Sequence, residues 1–117
     1  MGAPVVHFEI GCRDREKTAA FYTKLLGWKT QEFGGAAMID TGTQTGIMGH
    51  INSLGHEPHN YCLLYAQVDD LEASLRLAEE LGGTRVIPPT EVPGMGHFAW
   101  LKDPEGTLFG LWKPMGK

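Results

Sequence analysis

Two residues near the start of the chain have the types and spacing for acid–base chemistry: His7 and Glu9, two apart in the β-branched and aromatic run Val5-Val6-His7-Phe8-Glu9-Ile10. In an extended strand such a pair points to one face. The imidazole then serves as a general base or polar anchor, and the carboxylate holds one ring tautomer. Glu9 could be offered as a metal donor, yet a hydrogen-bond partner for His7 is the simpler role. The competing account is an inert, hydrogen-bonded pair. His50 ends the stretch Ile47-Met48-Gly49-His50, His56 and His59 lie in a turn-rich segment, and His97 opens a strand after a glycine-rich loop. The last three read as solvated. Cys12 and Cys62 show no metal or redox spacing, and Cys62 reads as a small hydrophobe inside an apolar strand. Tyr61, Tyr65, Trp100 and Trp112 are candidates to cover a flat or apolar small molecule, with core packing the plainer account of Trp100.

These residues need elements to position them, and the pattern supplies the same pair twice. The opening strand hands over to Asp14-Arg15-Glu16-Lys17, then to Ala19, Ala20, Phe21, Tyr22, Leu25 and Leu26, with Gly27 as the stop. Halfway along, Tyr61-Cys62-Leu63-Leu64-Tyr65 leads through Val68 to Asp69, with Leu71, Leu75, Ala78 and Leu81 before Gly82-Gly83. Each is a strand followed by a capped amphipathic helix. His7 stands 20 residues before Gly27 and Leu63 stands 19 before Gly82, the mark of a duplicated unit. Asp69 with Glu72 predicts a capping box at the second helix.

The remaining strands are predicted over 28–33, 36–40, 45–51, 84–87, 97–101 and 107–113. Pro88-Pro89 should stop the sixth strand, and 91–96 reads as a loop or rim. The order βαβββ-βαβββ makes the chain α+β, a single domain of two repeats, about 4–52 and 60–114, with a linker over about 53–59. One helix cannot cover both faces of its strands, so the mixed sheet is expected to curl as an incomplete barrel, helices outside, around a concave ligand site. Alternation sends Val6, Phe8 and Ile10 toward a helix, and likewise Phe109 and Leu111. Val5, His7 and Glu9 line the cleft, with Tyr61, Leu63 and Tyr65, and with Leu108, Gly110 and Trp112.

Composition bounds the function. The chain has 117 residues and a formal net charge of −4, enough for one core and without a basic stripe for nucleic acid. No apolar run approaches the roughly 20 residues of a membrane span, and no secretory or myristoylation signal opens the chain. A soluble, cytoplasmic protein is expected, acting on neither nucleic acid nor membrane.

With both repeats placed, the sequence resembles the vicinal oxygen chelate superfamily, which includes glyoxalase I, bleomycin-resistance proteins and extradiol dioxygenases. The resemblance rests on His7 with Ala20-Phe21-Tyr22 and Leu25-Leu26-Gly27-Trp28, on Val68-Asp69-Asp70-Leu71 with Leu81-Gly82-Gly83, and on Lys102-Asp103-Pro104-Glu105-Gly106 with Phe109-Gly110-Leu111-Trp112. Its metalloenzymes carry one metal ligand on the inward face of the first and fourth strand of each repeat. His7 matches the first of these, and Leu63 the equivalent place in the second repeat. The last, seven residues after the Asp of the Asp-Pro-x-Gly turn, falls on Gly110. Superposing Ile47-Met48-Gly49-His50 on Leu108-Phe109-Gly110-Leu111 puts Gly49 at the fourth place and turns His50 outward, while a slip of one residue turns His50 in.

One imidazole, two glycines and a leucine do not hold zinc, nickel or iron. The resemblance therefore implies a small-molecule-binding protein with a degenerate metal site and no cofactor. Its candidate residues are His7 and Glu9 for chemistry, and Gly49, Tyr61, Leu63, Tyr65, Gly110 and Trp112 for the ligand, with Gly49 and Gly110 leaving room. The alternatives are a metal-dependent lyase or dioxygenase, a drug-sequestering resistance protein, and a purely structural dimer module. A homodimer is expected on resemblance.

Overall fold

A computed structural model describes residues 2–116. It contains ten elements: β1 (Val5–Gly11), α1 (Arg15–Leu26), β2 (Lys29–Phe33), β3 (Ala36–Asp40), β4 (Met48–Asn52), β5 (Tyr61–Gln67), α2 (Leu71–Glu80), β6 (Thr84–Val92), β7 (Gly96–Lys102) and β8 (Leu108–Pro114). The chain is α+β, with the expected βαβββ order twice over. It forms two compact units, His7–Leu63 and a second made of the residues up to Val6 together with those from Leu64 onward. None of the helices among the described residues is long and apolar enough to cross a membrane.

In the first unit the strand order is β2-β3-β4-β1, with β1 parallel to β4 and the other neighbours antiparallel. The second unit repeats this as β6-β7-β8-β5, with β5 parallel to β8. The duplication legible in the sequence is therefore a duplication of hydrogen-bond pattern. Each unit has its own apolar cluster: Cys12, Ala37, Ile39 and Ile51 with Phe8, Ile10, Ala19, Tyr22 and Trp28 in the first, and Ala66, Leu71, Leu75, Ala99 and Leu111 with Val68, Leu101 and Phe109 in the second. Of the strand residues assigned to the helix side, Phe8, Ile10, Phe109 and Leu111 lie in these clusters, and Val6 is not among them.

The helices start where a carboxylate can accept an orphan N–H. Asp14 accepts from Lys17 N and Asp70 accepts from Ala73 N, both at 3.0 Å. The second cap is Asp70, one residue later than expected, because Glu72 does not close a capping box. It faces Arg85 across to β6, with Nη2 2.9 Å away. Asp70→Ala is expected to cost about 1 kcal/mol in a urea melt, since the Ala73 donor loses its acceptor. A change below about 0.3 kcal/mol would show that water caps this helix equally well.

Five expectations are corrected. Helix α1 has no buried residue, and Phe21, Leu25 and Leu26 stand exposed, so its inner face is carried by Ala19 and Tyr22. Trp28 is not a strand residue, and its ring stacks on Tyr22 at 5.7 Å between centroids. Strand β4 begins at Met48, because Gly46 takes the left-handed backbone (φ 86°) and keeps the preceding residues in a bend. Strand β6 runs on through Pro88-Pro89 to Val92. It lies at a sheet edge and its pairing with β7 shifts register on either side of Ile87, so the missing proline N–H groups break no regular ladder. Cys62 is exposed, not packed.

Candidate functional site: a histidine pair on a buried carboxylate

The parallel register of β1 and β4 sets the first unit's polar row. His7 lies opposite Met48, Glu9 opposite His50 and Gly11 opposite Asn52, and on the far side of β4 Met38 lies opposite His50. Directly opposed residues share a face, so His50 joins His7 and Glu9. The superposition of Gly49 on Gly110 was one residue out: Glu9 opposes His50 as Tyr65 opposes Gly110, so His50 is the counterpart of Gly110. Gly49 opposes Phe8 on the other face, and a Cβ there would meet the Phe8 ring at 2.7 Å. It is a packing glycine against Phe8 and leaves no room beside His7.

Four side chains are thereby brought together. His7 Nε2 and His50 Nδ1 are 2.8 Å apart. His50 Nε2 lies 3.3 Å from Glu9 Oε1, and the Tyr61 hydroxyl donates to Glu9 Oε2. Glu9 is 2% exposed, so its carboxylate depends on protein donors, Tyr61 among them, in place of water. The carboxylate faces His50, and its charge acts on His7 as well.

Tyr61 reaches Glu9 because its ring lies across Gly11. A Cβ at Gly11 would sit 2.0 Å from Tyr61 Cε2. Gly11 is thus a site residue that the sequence reading missed. Its signal was a glycine inside a strand pattern, on the His7–Glu9 face, where close approach of another group is the usual reason.

Burial, and next the neighbouring His50, lower the His7 pKa from 6.5 to about 4, against a smaller opposite pull from Glu9. Burial, then the hydrogen bond to Glu9 and that carboxylate's charge, raise the Tyr61 hydroxyl, so it stays a donor at neutral pH. The denatured chain protonates His7 near pH 6.5 while the folded chain resists until about pH 4. Stability therefore falls as pH drops through that window, because the unfolded state binds more protons. His7→Phe should flatten the dependence of the urea midpoint on pH between 6.5 and 4, and an unchanged slope would contradict the burial of a neutral ring.

In the second unit Gly110 sits between Tyr65 on β5 and Trp100 on β7. Trp100 Nε1 donates to the Tyr65 hydroxyl at 2.8 Å, a buried bond that crosses the strand carrying Gly110. Gly110 therefore makes room for an internal contact, not for an enlarged pocket. Phe98 meets the Tyr65 ring edge-on at 6.5 Å, and Trp112, half-buried, lies opposite Phe98. Leu63, the last residue of the first unit and 1% exposed, is a packed core residue.

The donor set does not fit a tightly held divalent ion. Among the described residues no group of three or more His, Cys, Asp or Glu is arranged for one. Leu63 and Gly110 offer no side-chain donor, the facing nitrogens of His7 and His50 bond each other, and Glu9 lies on the far nitrogen of His50. His56 and His97 are exposed as expected, whereas His59 is partly buried with Nε2 3.6 Å from Glu57.

A family model described as "Glyoxalase/Bleomycin resistance protein/Dioxygenase superfamily" matches residues 5–111. The anthracycline biosynthesis protein DnrV of Streptomyces peucetius is 29% identical over 130 residues, covering 96% of this chain and 47% of that protein, so the chain spans about half that relative's length. A glyoxylase-like domain-containing protein of Didymella fabae is 27% identical, with 93% of this chain and 92% of that one covered. The crystal structure of a glyoxalase/bleomycin resistance protein/dioxygenase superfamily member from Vibrio splendidus 12B01 superposes with a TM-score of 0.63 at 16% identity, covering 97% of this chain and 100% of the other.

Proposed function

The chain belongs to the Glyoxalase/Bleomycin resistance protein/Dioxygenase superfamily, and from that premise we propose that it binds a small organic molecule without a metal, using the His7–His50–Glu9–Tyr61 row as the polar anchor. The observation that carries the reading is the buried Glu9 carboxylate, which accepts from Tyr61 and faces His50 at 3.3 Å on the strand face that bears His7. Such an arrangement holds an imidazole pair in fixed orientation, which suits recognition or proton exchange with a bound molecule. A flat, hydroxylated aromatic is the favoured ligand class. In support, a relative is named for anthracycline biosynthesis, and the second unit carries an aromatic row of its own.

Native mass spectrometry of the full chain against a library of such aromatics tests this. A hit should stabilise the protein against heat, and His7→Phe and His50→Phe should each abolish the shift. No hit in the library, or a hit indifferent to both substitutions, would remove the row from the function. Stoichiometric zinc, nickel or iron in protein purified without chelator, lost in His7→Phe, would instead establish the metal-dependent lyase or dioxygenase. A resistance protein would show its largest shift with basic glycopeptides.

The proposal includes a cytoplasmic homodimer. The exposed Phe21, Leu25 and Leu26 of α1 support pairing of two copies, and the two unpaired cysteines suit a reducing compartment. Sedimentation at micromolar concentration checks the dimer, and a monomer there would remove it.

A further inference from the structure

Strand register carries the face of the histidine pair outward across the first unit. One side of β3 and β4, with Ala37, Ile39, Gly49 and Ile51, is buried, and three of these four lie in the cluster that includes Ala19 and Tyr22 of α1. The other side bears Met38, Met48 and His50, all half-buried. Met48 lies opposite His7, Met38 opposite His50, and Gln31 of the edge strand β2 opposite Met38. Directly opposed residues share a face, so the face runs from the histidines over two thioethers to an exposed amide. Thr41 holds the Met48 sulfur, donating from N at 3.5 Å and from Oγ1 at 3.6 Å. At the outer end lies a hollow of about 340 Å³, with Lys29, Gln31, Met38 and Asp40 of this face in its wall.

We propose that Met38 and Met48 form the apolar floor of the ligand site and Gln31 its outer polar end, so that this face selects an elongated, fused-ring aromatic over a single ring. This deepens the function proposed above and rests on it, because the histidine pair is the inner anchor. Thioether sulfur is polarizable and makes favourable contacts with aromatic rings, and the unbranched side chain adapts to a flat surface. Neighbouring strands lie about 4.8 Å apart, so in the order β2-β3-β4-β1 the step from β4 to β2 is about 10 Å and from β1 to β2 about 14 Å. A lone ring covers a single strand spacing. Fused rings reach from the histidines to Gln31, whose amide both donates and accepts and so takes a hydroxyl or a carbonyl at the far end.

A dihydroxyanthraquinone and a dihydroxybenzene are the probes, a fused-ring system against a single ring. Titrated into the full chain labelled with 13C at its methionine methyls, the fused-ring probe should shift the Met38 and Met48 methyl signals upfield, as a methyl beneath a ring face does. Met38→Ala should weaken binding of the fused-ring probe about tenfold and of the single-ring probe less than about twofold, since only the longer ligand lies over β3. Gln31→Ala should likewise weaken the fused-ring probe alone.

Binding of the fused-ring probe that is lost in His7→Phe while the Met38 methyl signal stays in place overturns this inference and leaves the proposed function standing. Tighter binding of the single-ring probe, or equal losses for both probes in Met38→Ala, does the same. Binding of neither probe to the unsubstituted protein overturns the inference, and the absence of any hit in the wider library overturns the function with it. The methyl signals are read on the unsubstituted chain, so the test stands even where Met38→Ala does not fold.

Discussion

Gly11→Ala is expected to destabilise the fold by about 2–6 kcal/mol, a large loss for the addition of one methyl group. The new Cβ would lie 2.0, 2.3 and 2.4 Å from the Cε2, Cδ2 and Cζ carbons of Tyr61. A rigid ring touched at three carbons cannot yield by a small torsion, so it must leave β1. Overpacking alone costs about 1–3 kcal/mol. When the ring leaves, the Tyr61 hydroxyl no longer donates to Glu9, and a carboxylate 2% exposed loses one of its donors. An unsatisfied buried acceptor adds about 1–3 kcal/mol. Urea denaturation measures the sum. Adding Tyr61→Ala should relieve the steric part, so a double-mutant cycle between positions 11 and 61 should show coupling above about 1 kcal/mol. A Gly11→Ala protein within about 0.5 kcal/mol of the parent, or additive substitutions, would mean the ring does not need that space.

Gly110→Glu is the second substitution of large effect, and it places a carboxylate where the resemblance to the superfamily's metalloenzymes implies a metal ligand. Here Gly110 lies between Tyr65 and Trp100 in the sheet, and the 2.8 Å bond between their polar ends passes over it. Both rings are buried, at 5% and 2% exposure, so a glutamate would have to displace an indole or bury its charge against aromatic carbon. Either route costs several kcal/mol, on the order of 3 or more. The expected result is low soluble yield or a sharply lowered urea midpoint, with the near-ultraviolet circular dichroism of Trp100 and Tyr65 diminished. No tight zinc, nickel or iron binding should appear in the folded fraction. A stable Gly110→Glu protein within about 1 kcal/mol of the parent would show that the position is a vacancy after all, and metal uptake by it would favour the lyase or dioxygenase reading.

The two glycines make the same point in different units. A tyrosine polar end reaches a partner 52 residues away in one case and 35 in the other, each across a strand position without a side chain. The sequence reading saw the tyrosines and saw Gly110, but treated the glycine as space for a ligand. What fills such a space is settled by a residue on another strand, and no local pattern names that residue. His50 shows the same division of information. Period-two alternation within Met48–Asn52 correctly opposes Gly49 to His50, yet it cannot say which of them faces His7. That phase follows from where β4 starts, which Gly46 delays, and from the hydrogen-bond register with β1.

Local chemistry determined a great deal. The apolar alternation of Val6, Phe8 and Ile10, the acidic start of each helix at Asp14 and at Asp69-Asp70, the stops at Gly27 and Gly82 and the repetition of the whole pattern specify two βαβββ units. Each of those signals acts within a few residues of itself. Tertiary structure alone decided that Glu9 accepts from Tyr61 and faces His50, that Gly11 admits the Tyr61 ring, that Trp100 closes over Gly110, and that β6 continues through two prolines at a sheet edge. The reason is physical: a strand's own residues fix which side chains share its face, but the register between strands fixes which side chains meet, and that register is set by backbone bonds between segments far apart in the chain.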